Sequence, residues 1–533
     1  MFEKLTSNQR LLVAVGLSFV FFIGYTTIFP PKPTLAENNV TKEADATPAV
    51  AQEKSPVVSD SSVKLDNSLS TGNKVGLVTV KSDDFTMTID TLGRISSHIM
   101  LQKKYDKAEG QHAELIDSES VKPLLVRFAD NSLNEEAVKV PYIADVATLT
   151  LGDKPQSVVL TQTLSKLTVT KTFTFYKDGH YDAKVALSND ARYYLDLGQR
   201  PKIEKKMMTV AGAMVYYGDG KTTIFKDGDV EGRSTFTDVH LISAFDQYFA
   251  NILYGFDKKL NVLVDRDKNG DPRTYIDAPR EITLHGYIGA KTYTTLKSID
   301  PVLVNAIEYG WFTFASRPLF AVLAWLDSIF GNWEWAIIGL TALVRMVLYP
   351  LTYKGMVSMQ KMKQISPKIK ELQAKYKGDP QRTNAAVMEM YKKHGANPLG
   401  GCLPMVLQIP VFFAMYRVFL NAPELQGAPW ILWVQDLSRM DHLFILPILM
   451  GATMYYQQKI TPSNFTDPLQ EKVFKFLPVI FTFFFVTFPS GLVLYWFINN
   501  LFSIGQQFIV NKQFEKAPVI SDEKQLEKTD DKN

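Results

Sequence analysis

Between residues 335 and 510 the chain carries apolar runs long enough to cross a bilayer, and they are interrupted by one basic stretch. Hydrocarbon offers no water to backbone N–H and C=O groups, so such runs fold as helices. Spans are expected at 335–353, 403–420, 443–456 with a polar extension to 460, 473–488 and 491–510. The runs at 443–456 and 473–488 are short against the roughly 20 residues that a bilayer requires. Near the N-terminus, Lys4 and Arg10 precede an uncharged run at 11–29. A cleaved signal peptide is the rival reading. The run exceeds the usual 7 to 15 apolar residues of such a leader. It also ends in Phe29-Pro30-Pro31-Lys32 rather than a small-residue cleavage site, which favours an uncleaved anchor.

Charge orients these segments, because cytoplasmic loops beside membrane spans collect Lys and Arg. Residues 354–394 hold ten Lys or Arg against three acids, whereas 421–442 has only Arg439. The first loop is therefore expected inside. Six crossings with both termini in the cytoplasm satisfy this asymmetry and put residues 30 to about 300 outside. The stretch 319–330 is apolar but too short to span and contains Asp327. With Trp311, Phe312 and Phe314 it reads as an amphipathic helix lying in the interface. The alternative is an outward extension of the second span.

The outer half has a different grammar. Residues 30–74 contain no aromatic side chain and read as a disordered tether, unable to bury enough surface to offset chain entropy. Beyond it Leu167, Val169, Phe173 and Phe175 alternate with Thr168, Thr170, Thr172 and Thr174. Asp178-Gly179 then turns the chain into residues 180–187, as in a β-hairpin. Similar strands separated by Asp219-Gly220, Asp227-Gly228 and Asn269-Gly270 continue to about 298 and predict an all-β sandwich. The expected division is an anchor at 1–29, a tether at 30–74, a β-sandwich at 75–300 and an interfacial helix at 301–330. The second span at 331–353, a cytoplasmic helical hairpin at 354–397, spans three to six at 398–510 and a tail at 511–533 complete it.

Several chemistries are disfavoured. With 58 Lys and Arg against 55 Asp and Glu, the net charge of +3 argues against a dedicated, sequence-specific nucleic-acid binder. The single cysteine, Cys402, excludes an intramolecular disulfide and a zinc site built on cysteine spacing. Gly220-Lys221-Thr222 resembles the end of a P-loop, but Val215 stands where its first glycine belongs. His98, His112, His180, His240 and His285 show no metal-ligand spacing, so no metal or cofactor is expected.

Chemistry concentrates in the membrane half. Arg345 lies eight positions from the inner end of its span, about 12 Å deep at 1.5 Å per residue. A guanidinium near mid-bilayer costs from roughly 2.5 to more than 10 kcal/mol, so it should face water or a partner. No span offers a carboxylate, and hydration in a cavity is the expectation, with snorkelling to the headgroups as its rival. Thr341, Arg345, Tyr349 and Thr352 share one helix face. In the last span Asn499, Ser503 and Gln506 recur at helical spacing with Asn500 and Gln507 beside them, while Thr453, Gln457 and Gln408 supply further polar groups. Single amides of this kind can equally serve as interhelical hydrogen bonds. As a set, they predict a hydrophilic groove in a five-helix core.

In the cytoplasmic loop Met356, Met359, Met362, Ile365, Ile369, Leu372 and Tyr376 follow spacings of three and four. Gly378-Asp379-Pro380 then turns the chain before a second helix to about His394. The methionines suit seam packing, and beside Lys361 and Lys363 they also suit transient binding of varied apolar segments.

Specific motifs sharpen the reading. NPLGGCLPMVLQIPVFFAMY at 397–416, ALVRMVLYPLT at 342–352, TDPLQEKVFKFLPVIF at 466–481 and PSGLVLYWFINN at 489–500 resemble signatures of the YidC membrane protein insertases. The resemblance is dense from about Tyr309 to Phe508. It implies an inner-membrane insertase and chaperone of Gram-negative type, with a periplasmic domain similar to the β-supersandwich of sugar mutarotases. It implies Arg345 as the groove arginine, Thr341 and Tyr495 as substrate contacts and the basic hairpin as the ribosome- and substrate-facing element. The family often has two tyrosines where this chain has Tyr495-Trp496. Nascent membrane proteins, the SecYEG translocon, the ribosome and membrane lipids are the implied partners.

Two other classes compete. A solute transporter or channel would also bury an arginine, yet the spans show no repeated halves. An intramembrane protease using Ser490 would lack a base, because His394 and His442 lie in loops.

Overall fold

Alternating side chains place the strand Thr168–Phe175 against His180–Leu187, antiparallel and with Tyr181 opposite Phe175. Gly179 closes the turn at φ +90°, a conformation that costs glycine nothing. Every second residue of the first strand is buried and its threonines are half-buried. The computed structural model describes residues 75–106, 111–202, 209–218, 220–255, 259–397, 403–429, 433–462 and 468–515. The predicted anchor, tether and most of the tail therefore lie outside the described residues, as does Cys402. In the outer part a five-stranded and a thirteen-stranded sheet are formed. Val80 and Met87 of the smaller sheet share one apolar core with Phe173, Tyr181 and Leu284 of the larger.

Two short helices, Asn131–Lys139 and Tyr293–Ile299, fall within the 75–300 expected as a β-sandwich, which is otherwise sheet. In α1, Asn131–Lys139, Asp130 caps the N-terminus by accepting from the Ser132 amide, and Leu133 is the one buried residue. A helix anchored by one apolar side chain leaves almost no periodic signal in sequence.

The second half is helical. After α2, Tyr293–Ile299, comes α3, Thr313–Phe330, which stops at Gly331 with φ +65°. Asn332 then caps α4, Trp333–Lys375, accepting from the amides of Glu334 and Trp335. The two helices are thus distinct, and α3 is not an outward extension of the second span. α4 does not end near 353 as expected. It runs on unbroken for 43 residues, about 65 Å at 1.5 Å per residue. Between Lys354 and Gly378 the chain offers no combined glycine and proline stop, and that stop arrives at Gly378-Asp379-Pro380. α5, Pro380–Lys393, follows, with Asp379 accepting from the Arg382 amide.

The remaining helices are α6, Leu403–Asn421; α7, Ile445–Ile460; α8, Pro468–Phe485; and α9, Ser490–Glu515. Among the described residues α4 alone is both long and apolar enough to cross a membrane, and 407–421 forms a shorter apolar helix. With 16 and 18 residues, α7 and α8 fall short of the roughly 20 needed to span without tilt or thinning. The count of six spans is therefore not reproduced helix by helix.

Sheet and helices meet through a second apolar core. Leu241, Phe245 and Tyr254 join Leu296, Leu303, Phe320, Met415 and Phe419 in it. Gln247 Nε2 donates to the carbonyl of Leu420 at 2.5 Å, and Ser316 Oγ ties α3 to the Ala414 carbonyl of α6 at 3.0 Å.

Candidate functional site

The face carrying Thr341, Arg345 and Thr352 turns inward along α4, and all three are buried. It meets the stripe of α9 that carries Asn499, Ser503 and Gln507, also buried. Arg345 Nε donates to Asn499 Oδ1 at 2.6 Å, and Nη2 donates to the Asn499 carbonyl at 3.1 Å. Ser503 Oγ donates to that same carbonyl at 3.0 Å. Arg345 is 8% exposed and Asn499 5%.

This revises the expectation of a lone, hydrated guanidinium. The side chain is enclosed and bonded, yet among the described residues no carboxylate pairs with it. A neutral amide supplies the acceptor, so the positive charge is retained. Hydrogen bonds to a charged group contribute about 1.5 to 3 kcal/mol each, which offsets part of the burial cost.

Tyr495, fully buried, accepts from Gln408 Nε2 at 2.7 Å. α6 is thereby joined to the polar set. Thr341 and Thr352 turn their hydroxyls to carbonyls of their own helix, Ile337 and both Leu348 and Tyr349 respectively. Tyr349 is half-buried and pairs with the ring of Tyr353 at 5.7 Å. Asn500 Nδ2 reaches the Met450 carbonyl at 3.3 Å and Thr453 Oγ1 at 3.4 Å, which joins α7. Hydrogen bonds thus join the polar faces of α4, α6, α7 and α9 into one polar seam.

Two predicted groove residues stand apart. Trp496 enters an aromatic cluster, with Phe412 of α6 at 4.9 Å and Phe481 and Phe485 of α8 at 6.2 and 5.4 Å. Gln457 is half-buried, and its neighbour Gln458 makes the link to α8, donating from Nε2 to the Phe474 carbonyl.

Toward the C-terminal end of α4, Met362, Ile365 and Ile369 pack with Val387, Met390 and Tyr391 of α5. Met362 is thus a seam residue and Met356 is buried, while Met359 and Lys361 are half-buried and Lys363 is exposed. Ser490, the imagined nucleophile, is buried and donates its hydroxyl to the Arg439 carbonyl at 2.7 Å.

Sequence reasoning missed one polar centre. Asn511 Oδ1 accepts from Gln507 Nε2 at 2.7 Å and from Gln360 Nε2, and Asn511 Nδ2 donates to the Ile460 carbonyl at 3.1 Å. Gln360 and Asn511 lie in stretches assigned to the loop and the tail, where amides carry no signal.

Comparison with known proteins finds relatives along most of the chain. The YidC periplasmic domain family matches residues 77–322, and the 60Kd inner membrane protein family matches 325–517. The membrane protein insertase YidC of Campylobacter jejuni is 47% identical over 519 residues, covering 96% of this chain and 98% of that protein. Its counterpart in Wolinella succinogenes is 45% identical, covering 96% of each. A crystal structure of an active YidC insertase with its first transmembrane domain resolved matches at 19% identity and TM-score 0.37, covering 81% of this chain and 93% of that one. At nearly full length and far above 30% identity, the sequence relatives decide the matter: the chain belongs to the YidC family of membrane protein insertases.

Proposed function

We propose that this protein inserts other proteins into the inner membrane by opening the polar seam between α4 and α9 to the hydrophilic flank of an incoming segment. The observation that carries this reading is Arg345 held by Asn499, a buried cation whose partner bears no charge. An acidic flank that reaches the seam exchanges a neutral acceptor for a carboxylate, which bonds a guanidinium more strongly. The apolar part of the segment then moves into lipid beside the helices. Transfer of about twenty apolar residues out of water is strongly favourable, so the protein need lower only the barrier to the polar flank. No nucleotide, metal or catalytic side chain enters the scheme.

As a member of its family the chain is an inner-membrane protein with a periplasmic domain. Six spans, cytoplasmic termini and a cytoplasmic α4–α5 hairpin follow from the charge asymmetry. Nascent membrane proteins are the substrates. The ribosome, SecYEG and anionic lipids are the partners that suit the basic hairpin.

The test uses the full-length protein in phospholipid vesicles. Insertion of a single-span substrate with an acidic flank is followed by protease protection, and release of an encapsulated ion is followed in parallel. Insertion above that of empty vesicles without release is expected. Release without insertion would point to the transporter reading instead.

A further inference from the structure

We infer that Asn511 is a positioning residue that latches the cytoplasmic mouth of the seam, and that substrate entry requires the latch to open. The inference rests on the insertase reading above and adds a gate to it. Three helices converge on this one amide. Gln360 comes from α4, Gln507 from α9, and the Ile460 carbonyl is the last of α7. That carbonyl lies at the helix terminus, where no intrahelical donor remains. Tyr353 adds a peripheral bond, donating to Gln513 Oε1 at 3.1 Å. Nearer the membrane, Gln458 of α7 donates to the Phe474 carbonyl of α8.

The latch, with the Tyr353–Gln513 bond beside it, is the tie between α4 and α9 at this end. Arg345 with Asn499 forms another. Fifteen residues of α4 and twelve of α9 separate the ties, about 22 and 18 Å at 1.5 Å per residue. Between them Gln506 Oε1 is buried without a hydrogen-bond partner among the described residues. It is an acceptor that an incoming N–H could use. Pro350 also lies between the ties and within α4. Lacking an N–H, it leaves the Met346 carbonyl without a helical donor and makes this the natural bending point. Bending there swings the Gln360 end away from Asn511 while the Arg345 end stays in place. An amide junction suits a gate, because neutral hydrogen bonds are worth little once water can replace them.

The experiment locks the junction. In full-length protein carrying Cys402→Ser, Gln360→Cys and Asn511→Cys are combined, reconstituted, oxidised and then reduced. The oxidised form should insert the acidic-flanked substrate at least tenfold more slowly than the reduced form, with recovery on reduction. A structural staple would be untouched by locking, so equal rates in the two forms overturn the inference. If wild-type protein itself inserts nothing, the insertase reading fails and not the latch. Should the double variant not fold, Asn511→Ala with Ser503→Cys as a probe replaces it. Cytoplasmic maleimide should label this probe at least fivefold faster than in the parent, and an unchanged rate overturns the latch.

Discussion

Asn499 meets Arg345 twice, its Oδ1 accepting from Nε at 2.6 Å and its carbonyl from Nη2 at 3.1 Å. The side-chain bond can be deleted by mutation and the backbone bond cannot. Asn499→Leu should therefore weaken the seam by about 1.5 to 3 kcal/mol, the usual worth of a hydrogen bond to a charged group. Arg345→Met in the same background should recover much of that loss, since no charge is then left without its acceptor. Denaturant unfolding of the four proteins in one detergent measures the coupling, and strict additivity would contradict it.

Substrate charge supplies a second check. Arg345→Met should depress insertion of acidic-flanked substrates by tenfold or more and of neutral-flanked ones much less. Equal depression of both would mean that the guanidinium serves packing alone. The vesicle protection assay reads both.

α7 and α8 approach each other closely at Gly451, where an added Cβ would overlap Thr482 Oγ1. That hydroxyl is fixed by its bond to the Pro478 carbonyl at 2.7 Å. Gly451→Ala should cost about 1 to 3 kcal/mol, as overpacking does. Adding Thr482→Ala should restore most of it. Thermal unfolding of the single and double variants decides the point.

The junction of sheet and helices should respond to pH through Glu424, in the loop after α6. Its Oε1 accepts from the Tyr293 amide, while its Oε2 is enclosed without a hydrogen-bond partner among the described residues. Burial raises its carboxyl to about 7, against the pull of nearby Lys104. With a folded value above the unfolded one, the folded state holds the extra proton between about pH 4.5 and 7. Its contribution is thus fully present below 4.5 and is lost as pH rises through 7. Glu424→Gln should abolish this decline, measured as protection of α2 amides from hydrogen exchange.

Lys171 has the opposite sign. Its Nζ is buried and donates to the carbonyls of Gly93 and Leu124, both at 2.8 Å. Burial lowers its value to about 7, with Asp90 opposing. The unfolded chain then binds the extra proton between about pH 7 and 10.5, so outer-domain stability should rise across that window. Lys171→Met should flatten the rise in pH-dependent unfolding.

Sequence carries the faces of these elements better than their partners. Thr168 to Phe175 announced a strand because period-two burial needs only local alternation. Arg345 and the stripe of Asn499 and Ser503 were visible for the same reason at helical spacing. Their union was not, because the two residues are 154 positions apart and a search for a countercharge overlooks an amide. Trp496 and its neighbour Tyr495 meet different surroundings. Successive residues on a helix point about 100° apart, which sends one to the seam and the other to the aromatic cluster of α6 and α8.

The apolar core shared by Phe245, Leu303, Phe320 and Phe419 bears on how the molecule is made. Synthesis delivers the outer sheets well before α6, so their underside waits uncovered until the later helices arrive. Cutting the chain near residue 323 would strand greasy faces on both fragments. The outer fragment would keep the separate apolar core of its two sheets, so the loss would fall on the faces at the junction.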